Sequence, residues 1–475
     1  MKLIQRKIPL WSVLLIPSLS FGADLTLENY LNQVRNDNEG VKASTLISEG
    51  SLNRSEEGSL LFRPSLFAQV QSTIDKKPVV NVASQGDRTD NSFATVGLMQ
   101  QFNFGLKTQL SYSLVHTKIY NASSTFVTRP DYNDGIAKLE LSQSLWRNIW
   151  GKETKAQETI VNSQAKATSH IESYKIKQIL AQAESVYWSL SQFRKILRVQ
   201  TNNLLRARKI SEWNRRRTNT GLADRSDYLQ ADANLKLREY ELQNTQLELL
   251  NLERTFNTLK GSKENQVNEM LENFDSKNIS QLSLPEKSEL RDDARAALEY
   301  QNLAVANANF AQEKNKPTLE VYGSYATNGR DVERSEAISN SFKTNKSTTA
   351  LGIRFNTPLD FGNTSKNIDG YKKEQIAAEY TFKKKVYDQE REWNDLVQKF
   401  EDAKLKLLLV EKIVEANKTK SLNESDRLNK GRTTTFQVLN FEQDYAQSEL
   451  QKIQSETNLL NIYAQLKTFS NGGSK

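Results

Sequence analysis

RTNTGLADRSDYLQA, from Arg217 to Ala231, and RLNKGRTTTFQVLNF, from Arg427 to Phe441, read as two versions of one turn. Each has an Arg four residues before a glycine (Gly221 or Gly431) and a leucine eight residues after it (Leu229 or Leu439). Glycine is the usual left-handed cap at a helix end. The flanking sequence is helical and long. No Pro or Gly occurs between Lys152 and Arg216, nor between Tyr371 and Lys430. Ile176, Ile179, Ala183, Val186, Leu190, Phe193 and Leu197 alternate steps of three and four. Trp393, Leu396, Phe400, Ala403, Leu407, Val410 and Val414 do the same, which is the apolar seam of a coiled coil. At 1.5 Å per residue each long helix is on the order of 100 Å. Return helices are expected from about Arg225 to Leu259 and from Thr435 to Phe469.

A shift of 210 residues carries Gly221 onto Gly431, and Ile176, Val186, Leu190, Leu197 and Leu204 onto Val386, Leu396, Phe400, Leu407 and Val414. The register is shared and the residue identities are not, as an old duplication leaves it. Each half also carries strands. Pro64–Thr73 and Pro317–Ala326 open with proline and alternate. Leu319, Val321, Gly323 and Tyr325 share one face, and Glu320, Tyr322 and Ser324 the other. Leu139, Leu141 and Leu145 lie 214 residues before Ile353, Phe355 and Leu359. Lys138, Glu140 and Ser142 sit on the opposite face of the first set, and Arg354 and Asn356 on that of the second. Such alternation in segments of about ten residues fits a transmembrane barrel, and also the edge of a soluble sheet. Between the strands the halves differ: Pro64 to Leu141 spans 77 residues and Pro317 to Phe355 spans 38. The surplus holds an extra hairpin, Phe93 to Tyr120, turning near Asn103–Gly105. Its place, in a barrel or outside one, is left open by the sequence.

Composition narrows the chemistry. The 475 residues include no Cys, two His, three Met, 8 Pro and 19 Gly. Thiolate metal sites, disulfides, cysteine nucleophiles and a cysteine-borne lipid anchor are excluded. His116 and His170 are far apart in the chain, and the acids lie on solvated helix faces. No enzyme, cofactor or metal site is expected. Lys2, Arg6 and Lys7 precede the single long apolar run, Ile8 to Leu19, and small residues follow at Ser20, Gly22 and Ala23. Residues 1–22 read as a signal peptide. Its removal takes away three positive charges and lowers the formal charge from +8 to +5. No basic run with interleaved aromatics suggests a nucleic acid. The organisation is then a leader (1–22), a first repeat (23–261; strands about 64–73 and 137–145, tip 217–229) and a linker (262–289). A second repeat (290–469; strands about 317–326 and 347–359, tip 427–439) and a tail (470–475) follow.

Helix, strand, strand, long helix, glycine tip and return helix, twice over behind a signal peptide, resembles the TolC-like outer-membrane efflux protein family. The tips above carry the likeness, together with LSQSLW (Leu141–Trp146) and FNTPLD (Phe355–Asp360), which are similar to the family's strand-to-helix junctions. The resemblance implies a mainly α chain with a small β part. It implies a homotrimer in which each subunit gives four strands to a twelve-stranded transmembrane β-barrel and its helices to a periplasmic α-barrel tunnel. It implies a passive exit duct in the bacterial outer membrane, among outer-membrane lipid, serving efflux or type I secretion. The duct would be coupled to an inner-membrane pump through a periplasmic adaptor. Gly221, Leu222, Gly431 and Arg432 would face the adaptor, and Asp227, Gln437, Asn440, Arg217 and Arg427 would lie at the tunnel entrance. Where the family carries entrance aspartates, this chain has Gln437 and Asn440. With Arg215, Arg216, Arg217, Arg427, Lys430 and Arg432 nearby, two readings arise: cations that offset helix dipoles, or an electropositive entrance. The rival for the whole chain is a periplasmic coiled-coil scaffold without a pore.

Overall fold

A computed structural model describes residues 25–222, 224–272, 278–279 and 281–470. The leader (1–22), part of the linker and the last five residues lie outside the described residues. In chain order the elements are α1 (Leu27–Asp37), α2 (Glu39–Ser55), β1 (Ser65–Asp75), α3 (Val82–Gln85), β2 (Arg88–Gln101), β3 (Leu106–Tyr120) and β4 (Asp131–Ser144). Then come α4 (Lys152–Asn219), α5 (Arg225–Leu259), α6 (Asp292–Lys314), β5 (Thr318–Asp331), α7 (Arg334–Ser341), β6 (Ser347–Asn356), α8 (Phe361–Asn429) and α9 (Thr435–Leu466). The helix α8 begins ten residues before Tyr371 and carries Gly362 and Gly370 inside it. The strand β4 starts at Asp131, ahead of 137, and β6 ends at Asn356, short of 359.

Two compact units result, and each takes segments from both sequence halves. Among the described residues, the first holds those within 25–43, 175–288 and 392–470. Its core is the coiled-coil seam closed by α1. Thr26 caps α1 by accepting the Asn29 N–H, and the helix buries Tyr30 and Val34. The Tyr30 ring stacks on Phe256 of α5 at 4.0 Å, and its hydroxyl donates to the Phe256 carbonyl. Leu180, Ala183 and Leu190 of α4 join Phe400, Ala403 and Leu407 of α8 and Leu459 and Leu460 of α9 in the same cluster.

The second unit, 44–174 and 289–391, holds the sheet. Its six strands are antiparallel in the order β1-β2-β3-β4-β5-β6. This corrects the expectation of four strands per chain. The extra hairpin is no appendage, because β2 pairs with β1 and β3 pairs with β4 along nearly their whole lengths. At the start of α6, Arg291 sets a two-pronged ion pair on Asp293 (2.7 and 2.9 Å), to which Lys385 of α8 adds a third contact at 3.0 Å. Burial alone would raise the Asp293 pKa. Arg291 and Lys385 outweigh it and hold the carboxyl below its ordinary value.

Candidate functional site

Side chains on a strand alternate between faces, so the registers sort the whole wall. One face carries Leu66, Val70 and Ile74 of β1, Val96 and Leu98 of β2, Leu110 and Leu114 of β3, Leu139 and Leu141 of β4, Val321 and Tyr325 of β5, and Leu351, Ile353 and Phe355 of β6. Most of these are largely exposed: Leu66 72%, Val70 83%, Leu351 82% and Ile353 72%. The opposite face carries Gln69, Gln71, Thr95, Gln109, Ser113, Lys138, Glu140, Glu320 and Arg354. Several ion pairs lie on that polar face. Lys138 meets Glu140 at 2.8 Å, Arg330 meets Asp134 at 2.6 Å, and Glu320 sits between Lys107 (3.9 Å) and Arg354 (3.8 Å). On the apolar face, charge returns at one end of the strands, where Asp90, Lys118 and Asp131 lie in the row that begins with Ile74. There the short helix α7 lies against β4 and β5. Gly135 and Gly329 leave no room for a Cβ beside the Ala337 carbonyl (2.9 and 2.3 Å), and Phe342 stacks on Tyr112 at 5.5 Å. The strands β1 and β6 each have one neighbour, so each leaves an open edge.

The sheet passes into α4 through a strained junction. Asn148, Trp150 and Gly151 all have positive φ. The turn of the β2–β3 hairpin is seated on it. A Cβ at Gly151 would lie 1.7 Å from the Asn103 carbonyl oxygen, and one at Gly105 would lie 2.8 Å from that of Asn148.

At the far ends of the long helices the two tips fold alike. Gly221 (φ +77) and Gly431 (φ +71) are left-handed. The Leu222 N–H donates to the Arg217 carbonyl and the Gly221 N–H to that of Thr218; Arg432 and Gly431 do the same to Arg427 and Leu428. This is the paired-bond helix stop. The Arg four places before each glycine now has a reason. Its guanidinium reaches round to the carbonyl of the residue after the glycine, Arg217 to Leu222 at 2.9 Å and Arg427 to Arg432 at 3.4 Å. Each Arg therefore grips that residue at both its N–H and its C=O. Arg217 also covers the Trp213 ring (4.5 Å), Arg427 pairs with Glu424 (3.1 Å), and Lys430 pairs with Asp426 (2.5 Å). These three cations are engaged locally. Fully buried Asn214 accepts from the Thr435 hydroxyl at 2.8 Å and ties α4 to the start of α9. Trp213 and Asn214 were missed in the sequence reading; a Trp and an Asn just before an Arg triplet carry no distinctive spacing.

Among the expected tip and entrance residues, Gly221, Leu222, Gly431, Arg432, Gln437 and Asn440 are exposed and Asp227 is half-buried. Leu222 stands out as an apolar tip residue, 68% exposed. Gln437 and Asn440 open a longer pattern. Gln437, Asn440, Asp444, Gln447, Gln451, Gln454 and Asn458 alternate steps of three and four along α9, and all are exposed. The other side of α9 is buried through Val438, Leu439, Ala446, Ile453, Leu459 and Leu460. The one charge in the stripe, Asp444, is paired with Lys420 at 3.2 Å. Neighbouring Glu442 is held by Arg206 at 2.6 Å. Near it the Tyr445 hydroxyl is pushed up to about 12 by burial and by its bond to Glu449. The exposed stripe is electrically neutral. Its spacing was legible in the sequence beyond the two residues singled out there.

Among the described residues no group of His, Asp and Glu is arranged to hold a metal ion, and no helix is long and apolar enough to cross a membrane. No protein-family model matches the sequence, and no characterised protein matches it by sequence alone. Solved structures do match in three dimensions. The outer-membrane channel OprN aligns with a TM-score of 0.67 at 14% identity, over 94% of this chain and 90% of its own. A membrane protein from Pseudomonas aeruginosa gives 0.68 at 14%, over 98% and 96%. The CmeC outer membrane channel of Campylobacter jejuni gives 0.66 at 13%, over 93% and 84%. The resemblance read from the tips and junctions is thus borne out as a fold. The chain has the architecture of the outer-membrane channels along nearly its whole length.

Proposed function

We propose that the chain is the outer-membrane exit duct of a tripartite export system. It would work as a homotrimer and a passive conduit, with energy and selection supplied by an inner-membrane pump through a periplasmic adaptor. The observation that carries this is the two-faced sheet with open edges. An apolar face runs across all six strands, and its back carries polar side chains and ion pairs. In lipid an unpaired strand edge is not tolerated, so the edges must be closed by further copies. The apolar face is then the lipid face and the polar one the lumen. Leu405, Leu409 and Ile413, exposed on α8, supply apolar surface for helix contacts between copies. A scaffold without a pore leaves the apolar sheet face with nothing to cover it.

The tips Gly221–Leu222 and Gly431–Arg432 are the proposed adaptor surface, with Leu222 as its apolar anchor. Gln437 and Asn440 begin a neutral, hydrogen-bonding track along α9 that faces the tunnel. A helix face meeting another protein would want apolar positions at this spacing, whereas a water-filled lumen suits amides. Asp227, Arg217 and Arg427 belong to the entrance region, where the two Arg act mainly by shaping the tips. Cargo is either small molecules or secreted protein. The test is extraction and gating: the full-length chain should require detergent for release from outer membranes. It should migrate differently on gels before and after heating, and form steady pores in a planar bilayer. A soluble product that conducts nothing would end this reading.

A further inference from the structure

We propose that the inserted hairpin β2–β3 widens the barrel, so that three copies close a wall of eighteen strands. The size limit on cargo then lies outside the barrel. This rests on the reading of the chain as a trimeric outer-membrane duct. Four observations carry it. The hairpin lies between β1 and β4 in the plane of the sheet. Its alternation is in phase with its neighbours: Val96 and Leu98 share the exposed apolar face, while the Thr95 and Ser113 hydroxyls bond at 2.7 Å on the polar face. A slip of one residue would have reversed both faces, and a surface ornament has no need of that phase. The turn is locked into the sheet-to-helix junction through Asn103 against Gly151. Finally, six is even, so β6 of one copy meets β1 of the next antiparallel and the ring still closes.

Barrel diameter grows roughly in proportion to strand number. With strands about 4.8 Å apart and tilted about 40°, twelve give a backbone diameter of roughly 24 Å and eighteen roughly 36 Å. Side chains take about 5 Å on either side. The lumen therefore grows from roughly 14 to roughly 26 Å, from the width of one α-helix to that of two. Solutes too bulky for a twelve-stranded exit, including a polypeptide passing as a helical hairpin, are the cargo class this wall admits.

The cysteine-free chain offers a direct test. Gln69 faces Thr95 in the observed register. Were the hairpin outside the wall, β1 would lie against β4 as β5 lies against β6, and Gln69 would face Lys138, by the Tyr322–Gly352 pairing of the second repeat. Full-length Gln69→Cys/Thr95→Cys and Gln69→Cys/Lys138→Cys variants are assembled in outer membranes, extracted and oxidised. Native mass and a cryo-electron-microscopy strand count are taken on the unmodified protein. Cross-linking of the first pair but not the second, three copies and eighteen strands support the proposal. Cross-linking of the second pair, a twelve-stranded ring, or two copies overturns it. A chain absent from the membrane fraction refutes the duct reading itself, and fractionation reports that before any cross-link is scored.

Discussion

Replacing Val70 by lysine puts a charge at the middle of the apolar run of β1. That run spans Leu66 to Ile74, and with a rise of about 3.3 Å per residue and a tilt near 40° it covers roughly 20 Å of membrane depth. Val70 is central, about 10 Å from either margin. It is 83% exposed, so the substitution removes almost no packing. The cost is then that of a lysine near the bilayer midplane, about 2–4 kcal/mol, or roughly 30- to 700-fold in the insertion equilibrium. Gln71→Lys is the internal control, because it is the next residue on the same exposed strand and points to the opposite face. It should cost close to nothing. Both variants are refolded from urea into phospholipid vesicles, and the folded fraction is read from heat-dependent gel mobility. Equal behaviour of the two would refute the assignment of faces, and greater damage from Gln71→Lys would invert it.

Three further perturbations probe other parts. Gly151→Ala adds a Cβ 1.7 Å from the Asn103 carbonyl at a left-handed position. It should cost more than about 2 kcal/mol and reduce assembled protein, while Gly50→Ala, with open space around it in α2, should be neutral or slightly stabilising. Burial holds the His170 pKa below its ordinary value, partly countered by Asp292. The unfolded chain then gains a proton more readily than the folded one, so stability is flat above the ordinary histidine pKa and falls as pH drops below it. Urea midpoints at pH 7.5 and 5.5 should show that fall, and His170→Gln should flatten it; an unchanged slope counts against the buried imidazole. Asn440→Asp places an uncompensated carboxylate on the neutral stripe. It should make a weakly selective pore prefer cations, read as a reversal-potential shift across a salt gradient, and an unmoved potential would remove α9 from the lumen.

The helices were legible because their signals are local. A run without Pro or Gly and a three-four apolar step located α4 and α5 closely, and the tip glycines announced their left-handed turns. The strands were legible in kind and less so in extent. Asp131–Ile136 belongs to β4, yet its mix of Asp, Asn and Gly reads as loop, and pairing with β5 overrides that preference. The hairpin at 93–120 was read from the surplus length between the strands of the first half. Its seat in the wall was not, since which strand lies beside which depends on partners distant in sequence. The arginines at the tips show the same limit. Their spacing was plain, but it left two readings open, cations that offset the helix dipoles or a positive entrance. Only the fold reveals that Arg217 and Arg427 are spent on the turn's own carbonyls. The α7 helix went unread because Gly135 and Gly329, the residues that make room for it, lie on two different strands.

The open edges of β1 and β6 carry a genetic consequence. In the proposed trimeric duct the ring needs both edges of every copy, so a chain with one spoiled edge would not merely fail by itself; it would enter rings with sound partners and leave them gapped. With three copies per ring and equal amounts of sound and spoiled chain, only about one ring in eight would be intact. A proline in the middle of β6 would then behave as a dominant allele, more harmful to a cell that keeps a good gene copy than deletion of one of two copies would be.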